Sequence, residues 1–230
     1  MNDIVELRRY TLRPGQRDVL IELFDREFVE TQEATGMRIL GQFRDLGDPD
    51  QFVWVRSFPD MAVRLSALTA FYSGPVWKAH AAAANATMID VDNVLLLKPA
   101  GQRGDFRLTP NGRDTPASSL VVATIYDLPT PVDDAMVGFF ETTVQPLLEK
   151  AGGTPLGLMR TEYAENDFPG LPIRTGVHKL VSFTSYPSTV TRAEISGKLA
   201  DLPEWADTVA GALPEAEQLL LSPTDRSLLR

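Results

Sequence analysis

Hydrophobic and polar residues alternate over residues 4–13, and this period of two predicts a β-strand. Hydrophobic residues then recur at helical spacing from Leu20 to Val29, which predicts an amphipathic helix. Two further apolar stretches, 37–43 and 51–58, flank the turn sequence DLGDPD and predict two antiparallel strands. The chain therefore begins with the order strand, helix, strand, strand.

A second helical stretch begins near residue 58 and is interrupted at Gly74-Pro75 before it resumes through residues 76–89. The apolar run at 93–99 predicts a fourth strand that ends at a proline. The complete order is strand, helix, strand, strand, helix, strand. This order is typical of the ferredoxin-like arrangement, an antiparallel sheet with two helices on one face.

The same pattern occurs twice along the chain. The sequence LLLKP at 95–99 returns as LLLSP at 219–223, and the Pro-x-Trp ending at Trp77 returns at Trp205. Phe24 and Gly36 are matched in the same way by Phe140 and Gly152. A repeat near 120 residues is too long for a solenoid unit, so we infer a tandem duplication of a small domain.

Two such domains in one chain can close the open faces of their sheets against each other. We therefore predict an α+β fold in which duplicated ferredoxin-like units form a pseudo-dimeric, eight-stranded α/β barrel. The predicted first copy spans 1–100 and the second spans 119–230. The segment 101–118 is rich in glycine and proline and is the predicted linker.

The residues of the first copy also carry a family resemblance. The segment VELRRYTLRPGQRDVLIELFDREFVETQEATGMRILGQFRDL, followed by FVWVRSFPDM, GPVWKAHAAAANATM and DNVLLLKPA, resembles the NIPSNAP family. The resemblance is close over 4–100 and looser over 119–223. It implies the dimeric α/β barrel superfamily, which includes cofactor-free monooxygenases, isomerases, lyases and haem enzymes. Because NIPSNAP members have no agreed reaction, the resemblance implies a fold more than a chemistry.

Composition excludes several partners. The chain has 31 acidic and 22 basic residues and a formal charge of -9, so it repels nucleic acid and anionic membranes. It contains no cysteine, which excludes disulfides and thiolate chemistry, and no apolar run approaches 18 residues. We expect a cytoplasmic protein that binds a small-molecule ligand and has no nucleic-acid or membrane partner. The sequence leaves open whether the protein forms homo-oligomers.

Strand alternation places charged and aromatic residues on one sheet face of the first copy. We expect this polar face to point into the barrel and the apolar face, with Val5 and Leu7, to lie under the helices. Arg8 and Tyr10 are candidate catalytic groups there, because buried charges need a partner or a ligand. The candidate substrate-binding residues on the same face are Glu6, Arg38 and Trp54. A purely structural Glu-Arg ion-pair network is the alternative.

The site is predicted in the first copy because the second copy has uncharged and smaller residues at the aligned positions. Val122 stands where the first copy has Glu6, and Thr124 where it has Arg8. Ser182 replaces Trp54.

His80 is a third candidate catalytic residue. On the predicted helix it shares a face with Trp77 and Ala84, so its imidazole would point inward and serve as an acid or base near neutral pH. Trp77 and Asn85 would contact the substrate, and Asn85 could orient a carbonyl or oxyanion. A buried neutral histidine with a backbone partner is the alternative.

Two distant histidines without spaced carboxylates predict no metal site. No cofactor is expected, with haem held by one histidine as a less favoured alternative.

Two function classes follow. The first is a protein that binds or transforms a small, partly apolar molecule in a cavity of the first copy, without a tightly held cofactor. By superfamily analogy its reaction would resemble that of an oxygenase, an isomerase or a lyase. The second is a non-enzymatic binding or adaptor protein, so the sequence leaves open whether the chain is an enzyme. The inserted segment 163–176 is a lid, a subunit contact or an ordinary surface loop.

Overall fold

The computed structural model describes residues 4–102, 104–109, 112–114, 117–209 and 211–230. The strands are β1 (Ile4–Leu12), β2 (Arg38–Asp45), β3 (Gln51–Phe58), β4 (Met88–Pro99), β5 (Leu120–Asp127), β6 (Thr154–Thr161), β7 (Lys179–Tyr186) and β8 (Ala216–Pro223). The α-helices are α1 (Arg17–Leu23), α2 (Val29–Glu33), α3 (Met61–Ser73), α4 (Pro75–Thr87), α5 (Asp134–Phe139), α6 (Gln145–Ala151) and α7 (Thr189–Ala200). A short 3-10 turn covers Gly112–Asp114.

The eight strands form one closed antiparallel barrel in the order β1-β3-β2-β8-β5-β7-β6-β4. Within each half the spatial order is fourth, first, third, second, which is the ferredoxin-like order. The two sheets join at their edges, where β2 pairs with β8 through Phe43–Asp45 and β4 pairs with β6 through Leu97–Pro99. Closure leaves no free edge among the described strands. The predicted pseudo-dimeric α/β barrel is confirmed.

Local details repeat between the halves. A π-helical turn at Phe24–Phe28 joins α1 to α2, and a second one at Phe140–Val144 joins α5 to α6. Each helical segment is followed by a glycine with a left-handed backbone, Gly36 at φ 102° and Gly152 at φ 106°. A side chain at either position would be strained, which explains why both copies keep glycine there.

Helices α3 and α7, which follow the third strand of their half, begin in the same way. Asp60 caps α3 by accepting a hydrogen bond from the backbone of Val63, and Ser188 caps α7 in the same register. Trp77 and Trp205 both follow these helices and pack into the apolar layer between sheet and helices of their own half. These correspondences support the duplication inferred from the sequence.

The predicted orientation of the strand faces was wrong for β1 and β3. Val5, Leu7 and Val53 point into the barrel, where they meet residues of the second half such as Val121 and Phe183. The polar face, which we expected inside the barrel, instead lies under the helices. The physical reason is that the barrel interior is one apolar core shared by both halves, whereas on the helix side Arg64 and Gln32 add partners for the buried charges of the strands.

A β-bulge explains why the apolar side chains of β2 change from one sheet face to the other part-way along the strand. The pairing with β3 slips between Ile39 and Gly41, so Leu40 is an extra residue. Before the bulge, Met37 and Ile39 lie under the helices as predicted. After it, Phe43 points into the barrel.

Of the helices that the structure describes, none has the length and apolar character needed to cross a membrane.

Candidate functional site

A cavity of about 400 Å³ lies between the sheet and the helices of the first half. This volume falls in the range of pockets that hold small organic ligands. Its wall is largely aromatic, and the polar groups among the lining residues belong to Tyr10, Gln32, Tyr72, Asn85 and the indoles of Trp54 and Trp77. The aromatic lining residues are Tyr10, Phe24, Phe28, Trp54, Phe71, Tyr72, Trp77 and Phe168.

The aromatic side chains support one another by edge-to-face and tilted packing. The ring centroids of Phe24 and Trp54 are 4.9 Å apart, and those of Tyr72 and Trp77 are 4.8 Å apart. Phe28 packs 5.7 Å from Trp77. Such pairs fix ring orientation, so the cavity has rigid flat walls. The π-helical turn places both Phe24 and Phe28 on the cavity wall.

The cavity is covered by the connection between β6 and β7, which comes from the second half of the chain. Phe168, Gly170 and Leu171 of this connection line the cavity. Asp167 forms an ion pair with Arg64 at 2.5 Å, and this arginine of α3 is fully buried. Of the three predicted roles for segment 163–176, this position supports that of a cover over the cavity.

A buried ion cluster lies next to the cavity at its sheet side. Glu6 accepts hydrogen bonds from Arg8 at 2.8 Å, from Arg56 at 2.8 Å and from Arg64 at 2.7 Å. All four side chains are fully buried. Arg56 also donates to Gln32 on α2 at 3.2 Å. Helices α2 and α3 therefore supply the partners that hold these charges under the sheet.

The electrostatics keep the cluster ionised. Burial alone would raise the pKa of Glu6, but Arg56, Arg8 and Arg64 together outweigh it and hold that pKa well below its ordinary value. Burial alone would lower the pKa of Arg8, but Tyr10 and Glu6 hold it above its ordinary value. The cluster thus contains three cations against two anions, Glu6 and the nearby Asp167.

Several buried hydrogen-bond donors in this region have no hydrogen-bond partner among the described residues. They include Nε1 of Trp54 and the Nη2 atoms of Arg8 and Arg64. Trp54 lines the cavity, and the guanidinium carbons of Arg8 and Arg56 are 5.6 Å and 4.9 Å from the centre of its indole ring. Tyr10 accepts from Arg8 at 3.1 Å, so its own hydroxyl hydrogen can be donated into the cavity. Burying a hydrogen-bond donor without an acceptor costs free energy, and a bound ligand would supply the missing acceptor.

Residues 5–101 match the NIPSNAP family model. These residues form a NIPSNAP domain. The family resemblance seen in the sequence is confirmed over this range, and the ion cluster and most of the cavity wall belong to the domain. No curated protein matches the sequence.

Solved structures agree with the whole architecture. A candidate monooxygenase from Lactobacillus acidophilus NCFM aligns over 100% of both chains with a TM-score of 0.59 at 12% identity. One from Fusobacterium nucleatum covers 97% of this chain and 93% of its own, with a TM-score of 0.58 at 12% identity. A NIPSNAP-like domain protein from Burkholderia xenovorans covers 44% of this chain and 88% of its own, at 24% identity and a TM-score of 0.41. At 12% identity the likeness to the first two structures shows the fold alone.

Most of the residues predicted for the site meet at the cavity of the NIPSNAP domain. Tyr10, Trp54, Trp77 and Asn85 line it. Glu6 and Arg8 are in the ion cluster behind this wall, and the predicted hydrogen bonding among Glu6, Arg8 and Tyr10 is present.

Arg38 does not join them. It is exposed and lines a separate cavity of about 220 Å³ with Phe106 and Met159. It precedes the bulge and pairs with Ser57, so its side chain lies on the barrel side of the sheet. The expectation that Arg38 would be buried and bonded to Glu6 was wrong.

His80 lies at the edge of α4 rather than in the cavity wall. Its side chain is 32% exposed, and its Nε2 is 3.5 Å from a carboxylate oxygen of Glu27. Phe28 separates the imidazole from the cavity, with ring centroids 6.3 Å apart. The predicted inward orientation is therefore not observed, because Trp77 and Ala84 fill the buried side of the helix.

Sequence reasoning missed three residues that matter to the site. Arg64, Gln32 and Tyr72 come from the helices, and they complete the ion cluster or the cavity wall. Arg64 could have been found, because it shares helical spacing with the buried Leu68 and Phe71. An arginine on an apolar helix face indicates a buried anionic partner.

The second half has a smaller counterpart of the cavity, of about 210 Å³. Its lining includes Thr124 and Ser182, so hydroxyl side chains stand at the positions that Arg8 and Trp54 occupy in the NIPSNAP domain, while Trp205 and Arg192 also line it. Tyr126 corresponds to Tyr10, and burial raises its pKa to about 12. The positions of the second half that align with Glu6, Arg8 and Trp54 therefore carry uncharged, smaller side chains, as the sequence indicated.

Within the described part of the chain, no group of three or more histidine, aspartate or glutamate side chains is placed to hold a metal ion. His178 Nδ1 is hydrogen-bonded to the Tyr163 hydroxyl at 2.8 Å in an exposed position.

Proposed function

We propose that this protein binds a small, flat, largely apolar molecule in the cavity of its NIPSNAP domain, without a tightly held cofactor. The observation that supports this function best is the aromatic cavity of about 400 Å³ beside buried donors that have no protein partner. Natural interiors are close-packed and rarely leave such space and such donors unused.

The wall of the cavity also supports a chemical role. The Tyr10 hydroxyl and the Trp54 Nε1 can both donate hydrogen bonds to an oxygen of a bound molecule. Donors fixed in a dry site stabilise negative charge that develops on a carbonyl oxygen during a reaction. The reaction class we infer is therefore one that passes through an enolate or phenolate, as in the oxygenase-like and isomerase-like alternatives. Glu6 and Arg8 act by holding Tyr10 in place.

An adaptor function has less support. It would require a broad apolar surface patch, whereas the large exposed apolar residues lie on several different elements, for example Val19 on α1, Leu65 on α3 and Val190 on α7. The cytoplasmic location and the oligomeric state stay predictions from the sequence.

The proposal is tested by titrating the full-length protein with aromatic probes in a calorimeter. We expect 2-naphthoate to bind the unmodified protein, and the Val91→Trp variant to lose binding because residue 91 lines the cavity. Ile89→Trp is the matched control, because Ile89 lies on the same strand but is 61% exposed. Equal binding by both variants, or no binding of 2-naphthoate, its neutral amide or naphthalene to the unmodified protein, would overturn the proposal.

A further inference from the structure

We infer that the ligand of the NIPSNAP-domain cavity is a carboxylate with an aromatic body, bound as a monoanion with its carboxylate toward Trp54 and Arg8. This inference rests on the proposed binding function and names the class of molecule. Three features of the described residues support it: the charge balance, the unpartnered donors and the aromatic lining of the remaining space.

The charge balance favours a single negative charge. Arg8, Arg56 and Arg64 are each fully buried and ionised, while the anions in contact with them are Glu6 and Asp167. One positive charge is therefore left without a counter-charge in a region that excludes water. A buried surplus charge is costly, and an anionic ligand compensates it. A phosphate monoester would bring nearly two charges and overcompensate.

The unpartnered donors belong to side chains in the cavity wall and directly behind it. Trp54 lines the cavity, its Nε1 is buried without a partner, and the guanidinium of Arg8 is 5.6 Å from the same indole ring. Two guanidinium cations near the indole attract its electrons, which strengthens its N–H as a donor. Tyr10 accepts its hydrogen bond from Arg8 and so has a hydroxyl hydrogen to donate. Hydrogen bonds to an ionised acceptor are roughly twice as strong as neutral ones.

The remaining space is suited to an aromatic body. Away from Tyr10 and Trp54, the lining consists of side chains such as Phe28, Phe71, Trp77 and Leu171. Flat rings pack against such walls in offset or edge-to-face geometry. An aliphatic carboxylate of the same size would pack less well against the aromatic lining, because it has no ring face to stack on these side chains.

The test compares two probes that differ in charge alone. Calorimetry on the full-length protein would measure 2-naphthoate and its neutral isostere 2-naphthamide at one pH near neutrality. We expect 2-naphthoate to bind about tenfold more tightly, because charge-assisted hydrogen bonds add to the shared ring contacts. The Trp54→Phe variant keeps a ring in the wall and removes the N–H, so it should reduce this preference to about threefold or less.

Trp77→Phe is the matched control. It shortens another aromatic wall residue without removing the free Trp54 donor, so it should weaken both probes by similar factors and keep the preference. Arg8→Met removes the surplus charge and should abolish the preference. If Arg8→Met does not fold, the two tryptophan variants still decide the question.

The outcomes separate the two proposals. Equal affinity for the two probes, tighter binding of the amide, or an unchanged preference in Trp54→Phe would overturn the carboxylate inference and leave the binding function standing. Failure of both probes and of naphthalene would overturn the binding function and the inference together.

Discussion

Glu6 determines how the ion cluster is built at the scale of single residues. One fully buried carboxylate binds three guanidinium groups and so fixes Arg8 behind Tyr10, Arg56 beside Trp54 and Arg64 against the cover of the cavity. Such a cluster gains little net stability from its charges, because desolvation offsets the attraction. Its retention in one half only, beside the larger cavity, is consistent with a role in positioning the cavity wall.

Removal of the Glu6 charge should be severely destabilising. Glu6→Gln leaves three buried guanidinium groups facing a neutral amide, and breaking a buried ion network in this way costs about 3–5 kcal/mol. The control is Glu217→Gln, which alters the Arg9 ion pair at a residue that is 50% exposed. That change should cost less than about 1 kcal/mol. Urea denaturation of both variants measures the difference, and similar losses in the two would contradict the structural assignment of the cluster.

A second residue gives the fold a pH dependence. Burial raises the pKa of Asp25 to about 6 despite the nearby Arg226 and Arg44. Because the folded pKa exceeds the unfolded value near 4, the folded state holds the proton more strongly between these values. Stability should therefore fall as pH rises from about 4 to about 6, and the full penalty is present above about 6.

The Asp25→Asn variant tests this dependence. It should be more stable than the unmodified protein at pH 7.5 by about 1 kcal/mol, since one pKa unit corresponds to about 1.4 kcal/mol and the group is partly solvated. The advantage should shrink toward zero at pH 4, where the carboxyl is protonated in both states. Unfolding free energies at the two pH values measure it, and an advantage that does not change with pH would disprove the explanation.

At the scale of elements, the connection from β6 to β7 links the two halves functionally. It is part of the second half, yet its residues Phe168 and Leu171 complete the cavity of the NIPSNAP domain. Asn166 and Asp167 fix it to Arg64 on α3, and the backbone of Arg174 bonds to Val94 on β4. A single-copy domain would need another chain to supply such a cover.

The ion pair between Asp167 and Arg64 should hold this cover closed. In Asp167→Asn, backbone amides of residues 163–176 should exchange with deuterium about tenfold faster, because a charge-assisted bond to a buried cation is lost. Glu165→Gln is the control, since Glu165 is exposed in the same segment. Equal exchange in the two variants would show that the pair does not restrain the segment.

The elements themselves could be predicted from the sequence, but the face each strand presents could not be predicted everywhere. Alternation of apolar and polar residues located β1 and β3 correctly, yet both faces of these strands are buried, one in the barrel and one under helices. The two-residue alternation separates the two faces of a strand. It does not tell which face packs inside the barrel and which packs under the helices. In β2 the extra residue at Leu40 changes the phase, and a bulge leaves no clear mark in a pattern of apolar residues.

The candidate site could be predicted in part for the same reason. Tyr10, Trp54 and Arg8 stood out because polar and aromatic residues on a buried strand need partners. Arg64 and Phe168 reach the site from a helix and from the second half, through contacts that depend on the tertiary fold. His80 stood out for its chemistry, but its helix presents Ala84 inward instead.

At the scale of the whole molecule, the barrel interior is a single core. Val55 and Leu97 of the first half pack with Ile125, Val181 and other residues of the second. Neither half can keep this surface from water alone, so the duplication joins two folding units into one cooperative structure. The halves share this core, but their cavities differ, because the Glu6 ion cluster lies beside the cavity of the first half.

Differential scanning calorimetry should therefore show one transition for the whole chain. Phe183→Ala removes a fully buried ring from the shared core and should lower the stability of that single transition by about 3–5 kcal/mol. Tyr163→Ala, at a residue that is 51% exposed, should have a much smaller effect. Two separated transitions in either variant or in the unmodified protein would contradict a shared core.

The most direct test of the account is a crystal structure of the full-length protein grown with saturating 2-naphthoate. We predict that the naphthalene ring packs against the aromatic wall that Phe28 and Trp77 form together. We also predict a carboxylate oxygen within about 3.2 Å of Trp54 Nε1, the length of an ordinary N–H···O bond. Naphthoate bound in the cavity of the second half or beside Arg38, or a reversed pose with the carboxylate away from Trp54, would contradict it.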